Sequence, residues 1–550
     1  MSEKNYYASK LLQVKDNMGK AWKILNSMTN RNGNKKCIER IEKGSISVSD
    51  PSAIAEEFNN FFTNLGPDLA KQIQPSASNP LEFLKDTYSN SMFFQPTTAE
   101  EISDIISSLK NSSSAGHDNI PTKLIKICSN ELVGVLAHIN NESLVEGVFP
   151  DSLKIARVIP IHKNGDTKLV SNYRPISLLS AFSKIAEKIV YTRLEKYLSA
   201  HSILHKNQFG FRSKHSTCMA LLELIDKLSV SIDSRDVTVG VFIDLAKAFD
   251  TVDHRILLAK LQHYGIRGSV HRWFQSYLSN REQYVTIDNH SSAMAEITCG
   301  VPQGSVLGPI LFLLFINDLN YVSKLLRIIM FADDTNLFLT GKSLTQIEKD
   351  LNDELIIVTE WFKANLLSLN LSKTSYIIFG NKTHQDINIC MHGFSLSRQY
   401  ETKFLGVIIT AKLKWTKHID VVLSKISKCL GIISKTRHLL PLHLNRALYS
   451  TLVEPYINYC NLVWCKSKKT NMLEKIFKTQ KRYCRLMTFS NFSAPSKPLF
   501  LQLKLLNVYN IYKLQLAVYM YKIYSNQMPH LEHHSFKAGT SFHNYHQIQE

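Results

Sequence analysis

The segment Ile328-Ile329-Met330-Phe331-Ala332-Asp333-Asp334-Thr335-Asn336-Leu337-Phe338-Leu339 constrains the fold of this chain more than any other. Two adjacent acids stand between two apolar runs, the pattern of a hairpin that presents its acids at the tip. Carboxylates flanked by buried strands cost free energy unless a cation or hydrogen bonds compensate them, so metal binding is a natural explanation. An isolated Asp-Asp pair has a simpler one, since Asp favours turns through local hydrogen bonds. This pair is not isolated. Val237 to Ile243, rich in β-branched residues and without helical spacing, reads as a buried strand ending at a third acid, Asp244. Three carboxylates from two neighbouring strands can hold two hard cations about 3.5–4 Å apart, which suits in-line phosphoryl transfer, with Mg²⁺ the expected ion.

The rest of the sequence narrows the partners. Lys and Arg number 65 against 46 Asp and Glu, a formal net charge of +19. An excess of this size favours a polyanion, either nucleic acid or an anionic membrane. The longest apolar run, Val306 to Asn317, is about half of the roughly 20 residues a membrane span needs, and it contains Pro309. No membrane segment is therefore expected. The N-terminus lacks an apolar stretch after a basic one, so the chain is expected inside the cell, in nucleus or cytoplasm. Nine cysteines, among them Cys37, Cys128, Cys218, Cys299 and Cys390, form no C-x-x-C pair and fit free thiols in a reducing compartment.

At 550 residues the chain exceeds one core and suggests about two to four domains or subdomains. Residues 1–95 read as a helical, basic extension: Leu11, Leu12, Met18 and Trp22 precede a polar break at Asn30 to Lys36. An amphipathic stretch from Ile54 to Leu65 and a loose linker from Gln74 to Pro80 follow. Thr98 with Glu101 three residues later makes a capping box, and Ile102, Ile105, Ile106 and Leu109 supply the apolar face of the helix it starts. Ala156 to Ile161 reads as a strand. Leu344, Ile347, Leu351, Leu355, Val358 and Phe362 recur at helical spacing between Ser343 and Leu366. Strands are predicted at Tyr376 to Phe379 and Phe404 to Ile409, and a basic helix from Leu423 to Arg437. His530, His533, His534, His543 and His546, without nearby cysteines or regular spacing, read as a polar tail rather than a zinc site.

Phe331-Ala332-Asp333-Asp334, the strand ending at Asp244, and Gly300-Val301-Pro302-Gln303-Gly304-Ser305 resemble the three core palm motifs of reverse transcriptases, in the same order. Asn172-Tyr173-Arg174-Pro175-Ile176-Ser177-Leu178, Gln208-Phe209-Gly210-Phe211-Arg212 and Ala115-Gly116-His117-Asp118 resemble further motifs of the non-LTR retrotransposon branch. The resemblance runs from about residue 98 to 480. It implies an α+β right-hand polymerase fold with a helical N-terminal extension (1–95), fingers (96–235), a palm with an antiparallel sheet (236–412), thumb-like helices (413–485) and a helical C-terminal region with a polar tail (486–550).

The implied activity is RNA-templated DNA synthesis with an RNA template, a DNA primer and deoxynucleotides as partners, no membrane, and two Mg²⁺ ions, with Mn²⁺ a substitute. Asp244 and Asp333 would be the principal metal ligands, with Asp334 beside them. Phe249, five positions after Asp244, would block a ribose 2′-hydroxyl. Lys163 and Arg174 would contact the triphosphate, Arg with the better geometry for phosphate oxygens. Gln303 would help position template and nucleotide, Gly304 would allow close backbone approach, and Lys373 would protonate the leaving pyrophosphate. Arg212, the primer-grip hairpin at Phe404-Leu405-Gly406, and Lys425 and Lys428 on the basic helix would track template and primer.

Elements of this kind commonly carry an upstream endonuclease, and no such constellation precedes residue 95, so an N-terminally truncated chain is expected. Two other readings fit part of this pattern. A decayed copy would bind nucleic acid without copying it. An RNA-dependent RNA polymerase shares the paired acids, and Phe249 argues against it.

Overall fold

The computed structural model describes residues 3–13, a few positions between 20 and 27, and 38–43, 46–85, 88–380, 385–465 and 471–529. Met18, Trp22, the polar break at 30–36, Cys37 and the tail histidines lie outside the described residues.

The strand Val237–Ile243 is buried along its whole length and occupies the centre of a five-stranded sheet. Asp334–Gly341 and Ser375–Phe379 flank it, both antiparallel. Arg327–Phe331 closes one edge as the hairpin partner of Asp334–Gly341, and the short Ser397–Arg398 lies parallel at the other. Burial on both faces explains why the central strand is apolar without alternation. Val239, Val241 and Ile243 join Ile347, Leu351 and Leu355 of the helix Leu344–Ala364 in one cluster. Phe242, Phe338 and Ile377 point the other way and join Leu221 and Leu224 of the helix Thr217–Asp233. Gly240 leaves room for the Phe338 ring, which a Cβ there would approach to 2.7 Å.

A second sheet is built on Ala156–His162, antiparallel to Tyr173–Leu178 and parallel to Arg281–Ile287. Residues 236–412 thus do not form a single sheet: Arg281–Ile287 joins the strands at 156–178 rather than the central sheet. The helix Pro51–Lys71 covers this second sheet, packing Ile54, Phe58 and Phe62 against Val158, Tyr173 and Val285. The helices Thr416–Thr436, Leu442–Leu452 and Asn471–Met487 form a third layer of packing, shared with the Thr217–Asp233 face. The architecture is α+β. No helix among the described residues is long and apolar enough to cross a membrane.

The helix predicted to start at Thr98 spans Ala99–Ser108, and the Thr98 hydroxyl accepts from the Glu101 N–H at 3.3 Å. The reciprocal half of the capping box is diverted: the Glu101 carboxylate pairs with Arg193 at 2.8 Å and takes the Thr97 hydroxyl at 2.7 Å. The stretch read from Ile54 to Leu65 extends over Pro51–Lys71, and the Ser343 helix spans Leu344–Ala364 with Ser343 as its cap. Phe404 to Ile409 is not one strand. Leu405 (φ 44°) and Gly406 (φ 81°) form a two-residue turn between Glu401–Phe404 and Val407–Thr410, since two successive positive φ values reverse a chain that already twists right-handedly.

Candidate active site

The sheet register brings the acids together. Thr335 pairs with Ile243, so Asp334 and Asp244 stand at the same end of adjacent strands, and Asp334 pairs with Phe331 across a two-residue loop, Ala332-Asp333. Asp244 is held from its other side by the segment after the long helix. Its carbonyl accepts from Asn370 N–H at 2.8 Å, and its N–H donates to the Thr374 hydroxyl at 3.3 Å. Lys373 in the same segment lies 3.8 Å from the Asp244 carboxylate.

The three acids feel one another. Burial pushes Asp334 up to about 6, with the charges of Asp333 and Asp244 adding to the effect. Burial likewise raises Asp333, and Asp244 adds to it, while Arg174 and Lys163 pull it back. Hard oxygen donors carrying mutually repelling charge are the donor set that a hard divalent cation neutralises. Among the described residues no three Asp, Glu, His or Cys side chains stand close enough, as placed, to enclose an ion. The donor set fits such a cation in chemistry, and its carboxylates would have to close around it.

Cations face the acids from the second sheet. In the Ala156–His162 and Tyr173–Leu178 hairpin, Arg174 pairs with Ile161, so Arg174 and Lys163 share one end of it, both exposed. Lys247, which sequence reasoning passed over, links the two sheets: its ammonium donates to the carbonyl of Tyr173 at 3.1 Å. Burial lowers its pKa, Asp250 opposes this, and Lys163, Arg174 and Lys373 add to the lowering.

The Gln303 loop is fixed by the same strand. Ser177 N–H donates to the Gln303 carbonyl at 2.8 Å, and a Cβ on Gly304 (φ 133°) would come within 2.4 Å of the Ser177 carbonyl oxygen. The close approach expected at Gly304 is therefore to protein backbone. The Gln303 amide donates to both carboxylate oxygens of Asp250, at 2.8 and 2.9 Å. Asp250, also missed, is pushed up to about 6 by burial against the opposing pull of Gln303, Lys247 and Arg174. Beyond the loop, buried Glu187 accepts from the N–H groups of Val306 (2.6 Å) and Leu307 (3.1 Å), at the start of the apolar helix Gly308–Ile316. A carboxylate supplied by another helix satisfies donors that the apolar sequence there cannot.

Phe249 stacks on Phe312, centroids 4.5 Å apart, and meets Phe211 edge-on at 6.1 Å. It stays partly exposed. Other residues singled out from sequence lie farther from this centre or are already engaged. Arg212 donates to the carbonyls of His205 (2.8 Å) and Gln208 (3.2 Å), bracing its own loop. Asp118 accepts from the Ser180 hydroxyl at 2.6 Å, and Gly116 abuts the Leu179–Ser180 backbone, so that motif anchors the helix Ala181–Ala200. The Leu405 carbonyl in the Gly406 turn accepts from the Tyr459 hydroxyl at 2.7 Å. Lys425 and Lys428 are exposed on the helix Thr416–Thr436, Lys425 with its ammonium 5.1 Å from the Tyr456 ring centre.

Residues 161–409 match the reverse transcriptase (RNA-dependent DNA polymerase) family. The chain is 27% identical over 441 residues to the RNA-directed DNA polymerase from mobile element jockey of Drosophila melanogaster, covering 78% of this chain and 47% of that protein. It is 30% identical over 430 residues to the probable RNA-directed DNA polymerase from transposon BS of the same species, covering 74% and 46%. With the probable RNA-directed DNA polymerase from transposon X-element, again of that species, it shares 25% identity over 464 residues, 80% and 50%. The chain spans about half the length of the curated relatives it matches.

Proposed function

We propose that this chain, whose residues 161–409 match the reverse transcriptase family, copies RNA into DNA, transferring nucleotides from deoxynucleoside triphosphates to a primer 3′-hydroxyl, as part of a non-LTR retrotransposon. The observation that carries the proposal is the meeting of three acids from two antiparallel strands with cations from a second sheet. In this reading the central sheet (within 236–412) is the palm, residues 96–235 with the second sheet are the fingers, and the helices of 413–485 are the thumb. Residues 1–95 would be an N-terminal extension, of which the helix Pro51–Lys71 covers the second sheet, and 486–550 a C-terminal region.

Asp244, Asp333 and Asp334 would hold two Mg²⁺ ions, or Mn²⁺ in their place. Bound there, the ions would lower the pKa of the primer hydroxyl and neutralise charge on the triphosphate and leaving pyrophosphate. The chain's own groups do the rest. Arg174 and Lys163 grip phosphate oxygens, Arg174 with two parallel donors. Lys373, an ammonium beside Asp244, delivers a proton to the pyrophosphate oxygen as the bond to the α-phosphorus breaks. Phe249, braced by Phe312, fills the space a 2′-hydroxyl would need. Gln303, its amide held by Asp250, presents a fixed loop to template and nucleotide. Arg212, the Gly406 turn, Lys425 and Lys428 lie along the path of template and primer, where contacts to phosphate supply affinity without sequence.

The test is extension of a DNA primer on an RNA template in Mg²⁺, with deoxy- or ribonucleotides. The full chain should extend with deoxynucleotides only, and Phe249→Ala should admit ribonucleotides while keeping deoxynucleotides. No extension by the unaltered chain would remove the function; unchanged selectivity in Phe249→Ala would remove the gate.

A further inference from the structure

The loop that carries Asp333 has only two residues, and Ala332, the first, sits at φ 56° with 4% of its surface exposed. Glycine is the residue that takes this conformation freely; an L side chain in it is strained, by about 1–2 kcal/mol. In so short a loop the N–H of the first residue has no partner across the hairpin, and burial removes water as an alternative. The side chain of Gln208 supplies the acceptor. Its Oε1 takes the Ala332 N–H at 3.0 Å and the Gly210 N–H at 2.8 Å, and the residue is 1% exposed. Its segment is laid against the outer strand of the hairpin by two backbone bonds, Phe209 N–H to Met330 carbonyl (2.9 Å) and Met330 N–H to Asn207 carbonyl (3.0 Å). The approach is so close that a Cβ on Gly210 would lie 2.3 Å from the Ala332 nitrogen.

We propose that Gln208 is a positioning residue that fixes the strained Ala332–Asp333 turn and so aims the Asp333 carboxylate at a divalent cation, a role that rests on the polymerase reading above. Gln208 acts through one backbone N–H, and its Oε1 is the atom that matters.

The test uses the full chain and its Gln208→Met variant, which keeps length and loses the acceptor, with and without Ala332→Gly, which relieves the positive φ. Mn²⁺ binding is followed by the electron spin resonance of the free ion, beside kcat and KM for one deoxynucleotide and the melting temperature. Gln208→Met should weaken Mn²⁺ binding and lower kcat, each by about 10- to 100-fold, the range for groups that orient a metal ligand. KM should stay near that of the unaltered chain, the melting temperature should fall because the buried Ala332 and Gly210 N–H groups lose their acceptor, and Ala332→Gly should restore much of the Mn²⁺ affinity. Unchanged Mn²⁺ affinity, or a loss that Ala332→Gly leaves undiminished, would overturn the proposal. A chain that binds Mn²⁺ through Asp333, lost in Asp333→Asn, yet extends no primer would refute the polymerase reading while the Mn²⁺ comparison still decides the role of Gln208.

Discussion

Asp250 sits where a charge is costly, and the amide of Gln303 compensates it by donating to both its oxygens. Its pKa of about 6 in the folded chain stands above the ordinary aspartate value of about 3.9. Between these values the folded chain binds the proton more tightly than the unfolded chain does. The stabilisation is therefore fully present below about pH 4 and is lost as pH rises through about 6. Asp250→Asn removes this titration and keeps an oxygen for the Gln303 amide. The melting temperature of the unaltered chain should fall relative to Asp250→Asn between pH 4.5 and 7, when both are followed by calorimetry; a constant difference across that range would contradict the assignment. Apolar runs mark the three acids in the sequence: one run ends at Asp244, and two bracket Asp333 and Asp334. Asp250 could not be read in this way, because its partner lies 53 residues away on a loop whose path only the fold determines. Lys247 escaped for the same reason: nothing in Ala246-Lys247-Ala248 hints that its ammonium reaches the Tyr173 carbonyl in another sheet.

Elements are joined behind the centre by a second buried charge. Lys260, fully buried on the helix His254–His263, donates to Asp318 at 2.6 Å and to the Phe315 carbonyl at 2.7 Å. Trp361 of the helix Leu344–Ala364 donates to the other Asp318 oxygen at 3.0 Å. Three helical elements thus meet on one carboxylate. Asp318→Ala strands a buried ammonium and should cost roughly 3–5 kcal/mol, whereas Lys260→Met with Asp318→Leu removes both charges and should come close to neutral. Urea midpoints of the three chains measure this, and an Asp318→Ala midpoint equal to that of the unaltered chain would refute it. Periodic elements such as Leu344–Ala364 were legible because one face is apolar at helical spacing. The parallel pairing of Ala156–His162 with Arg281–Ile287 was not, since more than a hundred residues separate the strands and neither carries a mark of its partner. The hairpin at Leu405-Gly406 was half legible: Gly406 signals a turn, but apolar residues on both sides read as one strand.

At the scale of the whole molecule, the net charge of +19 gains a location. Lys163, Arg174, Lys247 and Lys373 converge on the acids, and Lys425 and Lys428 stand exposed on a helix of the third layer. A centre that pairs clustered acids with cations from a separate sheet suits a substrate that is itself polyanionic and arrives with divalent cations. The proposed work of Asp333 and its neighbours is templated DNA synthesis. The most direct measurement offers each deoxynucleotide singly to the full chain, with a DNA primer whose next template base is one known RNA base, in Mg²⁺. The expected result is addition of the complementary nucleotide alone, with Asp333→Asn slower by at least roughly a hundred- to a thousandfold, the effect of removing one preorganised charged group from an active site. Addition that ignores the template base, or that proceeds equally well in Asp333→Asn, would contradict it.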